Sequence, residues 1–290
     1  MSGRNPIGSL FRALVLVCIG CVLIGIGLSL GGSLAGARWW PWGRGSRPGA
    51  EWPDGKRSWS WHWERESRDG ATIRDLEELS GTVADSVTEV EIDAGAARVI
   101  VRAGDSFEYR ATDFAKGSFH AHVEGSSLRL DQDDWLESLP FGRRAKRPVL
   151  ELVVPAGKRL SGIKIELGAG SLSVDGVSAD RVVLKTGAGE IESAGLSAKE
   201  VSVESGAGAI DFSDVRADEL EVATGAGSVT LGLAGAEADW LVEFERGLGA
   251  VTVGSQSFNG VGSGSVGARD AARRVLIRTG VGAATVRFGD

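Results

Sequence analysis

The sequence predicts an all-β chain wound as a single-chain parallel β-solenoid with rungs of about 19 residues, preceded by one N-terminal transmembrane helix. Three observations carry that expectation. Three copies of a 19-residue unit run without a gap from Ser171 to Gly227, each closing on Gly-Ala-Gly. Inside each copy apolar and polar residues alternate with the period of two that belongs to a strand. Residues 13–37 hold no charged side chain, in a 290-residue chain that is 24% charged.

Taken in order, residues 1–12 are a short tail containing Arg4 and Arg12. Residues 13–37, rich in Leu, Val, Ile and Gly, are long enough to cross a bilayer as a helix. Arg12 and Arg38 bracket them. Trp39, Trp40 and Trp42 follow at the depth where aromatic side chains meet lipid headgroups. A cleaved signal peptide is the rival reading, because Ala35-Gly-Ala37 resembles a small-residue cleavage site; the run exceeds the usual h-region, which favours an uncleaved anchor. Cys18 and Cys21 lie inside it and read as small apolar residues, so no disulfide staples the remainder.

Orientation sets two rules against each other. Arg38, Arg44, Arg47, Lys56 and Arg57 after the segment outnumber Arg4 and Arg12 before it, which taken literally keeps the C-terminal domain in the cytoplasm. A short tail before a lone apolar segment is, in contrast, how a signal-anchored exported domain begins. The expected location is the cell membrane, crossed once, with the C-terminal domain outside the cytoplasm.

Residues 38–70 form a juxtamembrane linker crowded with Trp, Arg, Gly, Pro and Ser. On an extended strand Trp59, Trp61 and Trp63 share one face, suited to the membrane surface, a sugar ring or a partner. From Arg38 to Arg68 there are seven basic and four acidic residues, net +3, whereas Ser171 to Gly227 holds four basic and eleven acidic, net −7. A basic stalk under an acidic domain suits an anionic membrane.

Residues 71–290 are the solenoid domain, regular over 171–227. Val90-Glu-Ile92 and Val99-Ile-Val101 read as a diverged rung, and Phe107-Glu-Tyr109, Phe119 to Val123, Leu128-Arg-Leu130 and Leu150 to Val154 as strands that cap the open N-terminal end. In the repeats each rung is two short strands and two corners. Leu172, Ile191, Ile210 and Val229 recur at one inward position, and Val182, Val201 and Leu220 at another. The corners fall on Gly168 and Gly170, Gly187 and Gly189, Gly206 and Gly208, Gly225 and Gly227, Gly247 and Gly249, and Gly280 and Gly282. A corner needs positive φ or close approach of rungs, and glycine meets both demands. The spacing then loosens: Gly247-Leu-Gly249 closes a 22-residue unit and Gly280-Val-Gly282 a 33-residue unit, whose Gly/Ser-rich insertion from Ser255 reads as a flexible loop.

Chemistry-bearing motifs are sparse. No Lys-Ser or Lys-Thr and no helix follows the Gly-Ala-Gly corners, so they do not cradle phosphate, and they lack the Asp of calcium-binding nonapeptides. His120 and His122 share one strand face but no metal-ligand spacing accompanies them. Asp175, Glu190, Glu192, Asp211 and Asp214 stand on or beside the strands; as solvated gatekeepers they need no further role, whereas a glycan-cleaving site would need two of them paired in a cleft. The basic run Arg143 to Arg147 lies in a loop without an aromatic platform, which argues against nucleic acid. No catalytic, cofactor-binding or metal residue is expected, and oligomeric state is not legible.

The recurrent Thr186-Gly-Ala-Gly-Glu-Ile191, Ser205-Gly-Ala-Gly-Ala-Ile210 and Thr224-Gly-Ala-Gly-Ser-Val229, with the diverged rung at Val90 and the single apolar segment ahead of them, resemble the bacterial putative-adhesin family of β-strand-repeat, or toast-rack, domains of unknown function. The resemblance spans Val87 to Phe288. It implies a single-chain β-solenoid, attached in many members to the envelope and associated with envelope-stress modules, and it carries over no catalytic or binding residue. The expected function is non-enzymatic: adhesion, or envelope-stress sensing and assembly, with a protein or glycan partner. A cytoplasm-facing membrane scaffold of the same fold and a glycan-active β-helix enzyme are the alternatives.

Overall fold

The structure, a computed structural model, describes residues 76–132 and 147–289. The apolar segment, Trp39, Trp40 and Trp42, the linker and the basic run up to Lys146 lie outside the described residues. Among those described, no helix is long and apolar enough to cross a membrane.

Fourteen strands form one continuous hydrogen-bonded sheet folded on itself. Its body is a stack of seven long strands, each folded at its midpoint: β2 (Glu89–Gly104), β7 (Arg159–Asp175), β8 (Ser178–Ala194), β9 (Glu200–Val215), β10 (Glu219–Ala234), β11 (Trp240–Val253) and β14 (Arg273–Gly289). All neighbours in the stack are parallel and in register, except that Ser213 and Asp214 of β9 bulge opposite Gly232 of β10. Gly-Ala-Gly is therefore a fold inside one strand, with ladder pairing resuming at its central residue; it is not a loop between two strands.

Period-two alternation turns one side chain in two inward on both halves of every rung. Val182, Val201, Leu220, Val275 and Val242 form one buried column, and Ile191, Ile210, Val229, Ala284 and Val251 form a column facing it. Each fully buried aliphatic side chain contributes roughly 1.5–3 kcal/mol, so the columns hold the stack without disulfides. Ser193 sits where its neighbours are apolar, and its hydroxyl is satisfied by donating to the Val174 carbonyl (2.5 Å).

The stacking order departs from chain order. The sequence of strands along the stack is β2-β7-β8-β9-β10-β14-β11, so the C-terminal strand lies between β10 and β11. Successive parallel strands are about 4.8 Å apart, and stepping over β14 adds one such spacing to the connection. The 22-residue unit supplies it. Its three residues beyond the regular 19 can span about 10 Å, and they are taken up near the short 3₁₀ turn Glu237–Asp239. Trp240 seals the crossing, fully buried, its indole N–H donating to the Ala234 carbonyl (3.2 Å).

Both ends of the stack are closed by short strands, one set on each half of the terminal rung. At the N-terminal end β5 (Ser127–Gln132) pairs with Glu89–Asp93 of β2, and β6 (Val149–Pro155) with Arg98–Gly104. Beyond them lie β4 (Phe119–Glu124) on β5, then β3 (Glu108–Ala115) on β6 and β1 (Leu76–Thr82) on β3, all antiparallel. Phe114 and Phe119 fill this end with ring centroids 4.8 Å apart. At the other end the expected flexible insertion is ordered instead: β12 (Gln256–Asn259) pairs with Ala250–Val253 of β11, and β13 (Gly262–Val266) with Val242–Arg246. Phe258 from the insertion packs on Phe244 (4.8 Å), an apolar anchor that the Gly/Ser content obscures.

Candidate functional site

The predicted corner glycines form two ladders along the stack. One runs Gly168, Gly187, Gly206, Gly225, Gly280, Gly247, and the other Gly170, Gly189, Gly208, Gly227, Gly282, Gly249. In the second ladder φ is +139° to +153°, and an added Cβ would fall 1.6–1.9 Å from the carbonyl oxygen of the preceding rung. The backbones are thus in direct contact, leaving no concave cradle for a ligand. Just before each corner, Thr186, Ser205, Thr224 and Thr279 turn inward and are buried. The hydroxyls of the first three have no hydrogen-bond partner among the described residues.

At the opposite corner, Gly176 and Gly195 take positive φ, and one rung on Asp214 holds the same left-handed conformation at φ +51°. Aspartate tolerates this region better than most residues. Asp214 pairs with Arg216 (3.0 Å) and, with Asp239, Arg273 and Arg287, lines a recess of about 460 Å³ beneath the strand crossing. The recess is open and of mixed charge.

The first-half outer face is a charged ladder. Glu91 accepts from Lys164 (2.7 Å) and from Arg129 (2.7 Å), Arg181 pairs with Glu200 (2.7 Å), and Lys185 with Glu204 (3.4 Å). Lys164 and then Arg129 hold the Glu91 carboxyl below the usual carboxylate range; partial desolvation and then the Glu166 charge raise that of Asp93. The second-half outer face is smoother, with Ser173, Glu192, Asp211, Thr230, Thr285 and Thr252 in one cross-strand row.

The residues weighed for chemistry separate on these faces. Glu192 and Asp211 are neighbours across β8 and β9, both exposed on an open sheet, while Asp175 pairs with Ser173 (2.6 Å) at the end of its rung. His120 and His122 both project from edge strand β4, and His122 approaches Asp131 (3.6 Å). Among the described residues no group of His, Cys, Asp or Glu is arranged to hold a metal. What the sequence reading missed is the exchange of rung order. Its one sequence signal was the unit lengthened from 19 to 22 residues just before it.

Two outer sheets of parallel rungs, folded at glycine ladders and capped at both ends, define a β-solenoid whose repeat serves architecture. The chain belongs to the Toastrack DUF4097 family, whose model matches residues 87–238. Among solved structures it is similar to a "putative cell adhesion protein" from Clostridium sporogenes, at 16% identity over 74% of this chain and 100% of that one, TM-score 0.50. It is also similar to a "putative adhesin" from Bacteroides fragilis, at 13% identity over 74% of this chain and 98% of that one, TM-score 0.40. These likenesses are of fold. No curated protein matches the chain.

Proposed function

We propose that this chain is a non-enzymatic β-solenoid, anchored through residues 13–37 and displayed at the bacterial cell envelope, where it acts in adhesion or in envelope-stress sensing and assembly. The observation that carries the reading is the continuity of the two outer faces. Charges on the first-half face are paired from rung to rung, as in Arg181 with Glu200, and on the second-half face Glu192 and Asp211 lie side by side on an open sheet. Such faces offer extended contact area and no place that excludes water from a reacting group. The uncharged stretch before the basic linker supports attachment, and the adhesion descriptions of structural neighbours agree with a binding role.

Protease treatment of intact cells tests display: digestion of the domain while a cytoplasmic marker survives supports it, and full protection favours the cytoplasm-facing scaffold. The enzyme alternative predicts turnover of a glycan that Ala substitution of Asp175, Glu192 and Asp211 abolishes. The proposed reading expects no such turnover.

A further inference from the structure

The C-terminal end of the stack differs from the N-terminal end in its charge. Gly247 to Ala268 contains no Asp, Glu, Lys or Arg, and the fold spreads this run across the end as the second half of β11 followed by β12 and β13. Among the described strands β13 pairs with β11 alone, so one row of its backbone N–H and C=O groups faces outward without a strand beside it; β12 is placed likewise.

Sheets normally guard such edges with charge, proline or a bulge. At the N-terminal end β1 carries Glu77 and Glu78 and β4 carries Glu124, so like edges meeting there would set acids side by side. β13 reads Gly262-Ser-Gly-Ser-Val266 and has no such guard. Beside it are the two most exposed large apolar residues of the described chain, Leu248 (66%) and Val261 (73%). The Gly260 N–H donates to the Gly249 carbonyl (3.0 Å), tying the turn that bears Val261 to the corner that bears Leu248. In four regular rungs the middle corner residue is Ala169, Ala188, Ala207 or Ala226; the last two in the stack replace it with Val281 and Leu248. The repeat is therefore broken toward apolar exposure at this end.

We propose that this end is a self-association surface: a second copy of the chain pairs its β13 antiparallel with β13 about a twofold axis at Gly264, which sets Val261 of each copy against residue 267 of the other at the two ends of the join. A twofold axis normal to the sheets reverses strand direction and returns each edge to its own kind, so β12 meets β12 on the other face. Neutral edges permit the contact that Glu77 and Glu78 forbid at the other end. An open backbone edge recognises another extended backbone, which fixes the class of partner. This inference stands independently of the proposed function.

The test uses the full-length chain in detergent, with Cys18 and Cys21 replaced by alanine, followed by light scattering. The expected species is a dimer that Ser265→Lys converts to a monomer with unchanged β-sheet circular dichroism and a melting temperature no longer dependent on concentration. Pairing about Gly264 sets residue 263 against residue 265 of the second copy. A mixture of Ser263→Cys and Ser265→Cys chains is therefore expected to form disulfides about tenfold faster than a Ser80→Cys chain, whose thiol lies on β1. A chain that stays monomeric at every concentration, that gains mass only with a different protein, that dimerises despite Ser265→Lys, or that cross-links as fast through Ser80→Cys overturns the proposal.

Discussion

The Cβ that alanine would add at Gly208 falls 1.6 Å from the carbonyl oxygen of Gly189, one rung earlier in the stack. Only backbone atoms stand in the way, and no rotamer change relieves the overlap. Gly208→Ala is expected to cost about 3–5 kcal/mol, at the large end for a single substitution, because it joins overlap with fixed backbone to strain at positive φ. Gly125→Ala, where φ is +62° but nothing lies within 4 Å, is expected to cost about 1–2 kcal/mol from conformation alone. Denaturant midpoints of the two variants separate contact from strain.

Strand β14 supplies the rung on which β11 rests, since β11 has no pairing with β10. Ile277 is fully buried in it, and Ile277→Ala is expected to lose about 2–5 kcal/mol. Deleting residues 273–290 is expected to expose β11, β12 and β13 to rapid hydrogen exchange and proteolysis while β2 through β10 stay protected. Equal protection of β11 in the deleted chain would show that it holds to β10 directly.

The Thr224 hydroxyl is buried without a hydrogen-bond partner among the described residues, and valine has nearly the same shape. Thr224→Val removes a desolvated polar group at no cost in volume and is expected to raise stability by up to about 1 kcal/mol. Thermal unfolding of this variant, and of Thr186→Val at the equivalent rung position, reads the sign.

Glu91 and Asp93 respond to pH in opposite directions. The Glu91 carboxyl is lowered by Lys164 and Arg129, so its contribution is present above the unfolded-state range and lost as pH falls through the lowered value. Asp93 is raised by partial desolvation and by Glu166, so the stability it lends is present in acid and lost as pH rises through the raised value. Glu91→Gln is expected to destabilise near neutral pH and to have little effect in acid. Asp93→Asn is expected to stabilise near neutral pH, also with little effect in acid. Both sites are partly solvated, so each effect stays below about 1 kcal/mol. Denaturation series at the two pH values measure both.

Much of the core was legible because burial in a solenoid follows local periodicity: Ile191, Ile210 and Val229 share a column because they share a place in the repeat. Corner position was legible for the same reason, including the glycines of the looser last two units. Asp214 was weighed as a carboxylate when its place in the repeat, after Gly176 and Gly195, already marked a left-handed corner. The insertion after Gly254 hid its strands because edge strands built from Gly and Ser carry little alternation, and Phe258 alone betrays the packing onto Phe244.

The sequence by itself determined the rung: its length, its inward columns and the glycines at which it folds, all of which depend on residues within one repeat of each other. Only the tertiary structure decided the order of the rungs and the closure of the ends. Gly280 lies between Gly225 and Gly247, so that Gly247 rests on Gly280 rather than on Gly225, because strand pairing joins any two rungs of matching register, whatever their distance along the chain. A repeat makes those registers nearly equivalent, so connection length and end packing, which no single repeat encodes, select the arrangement.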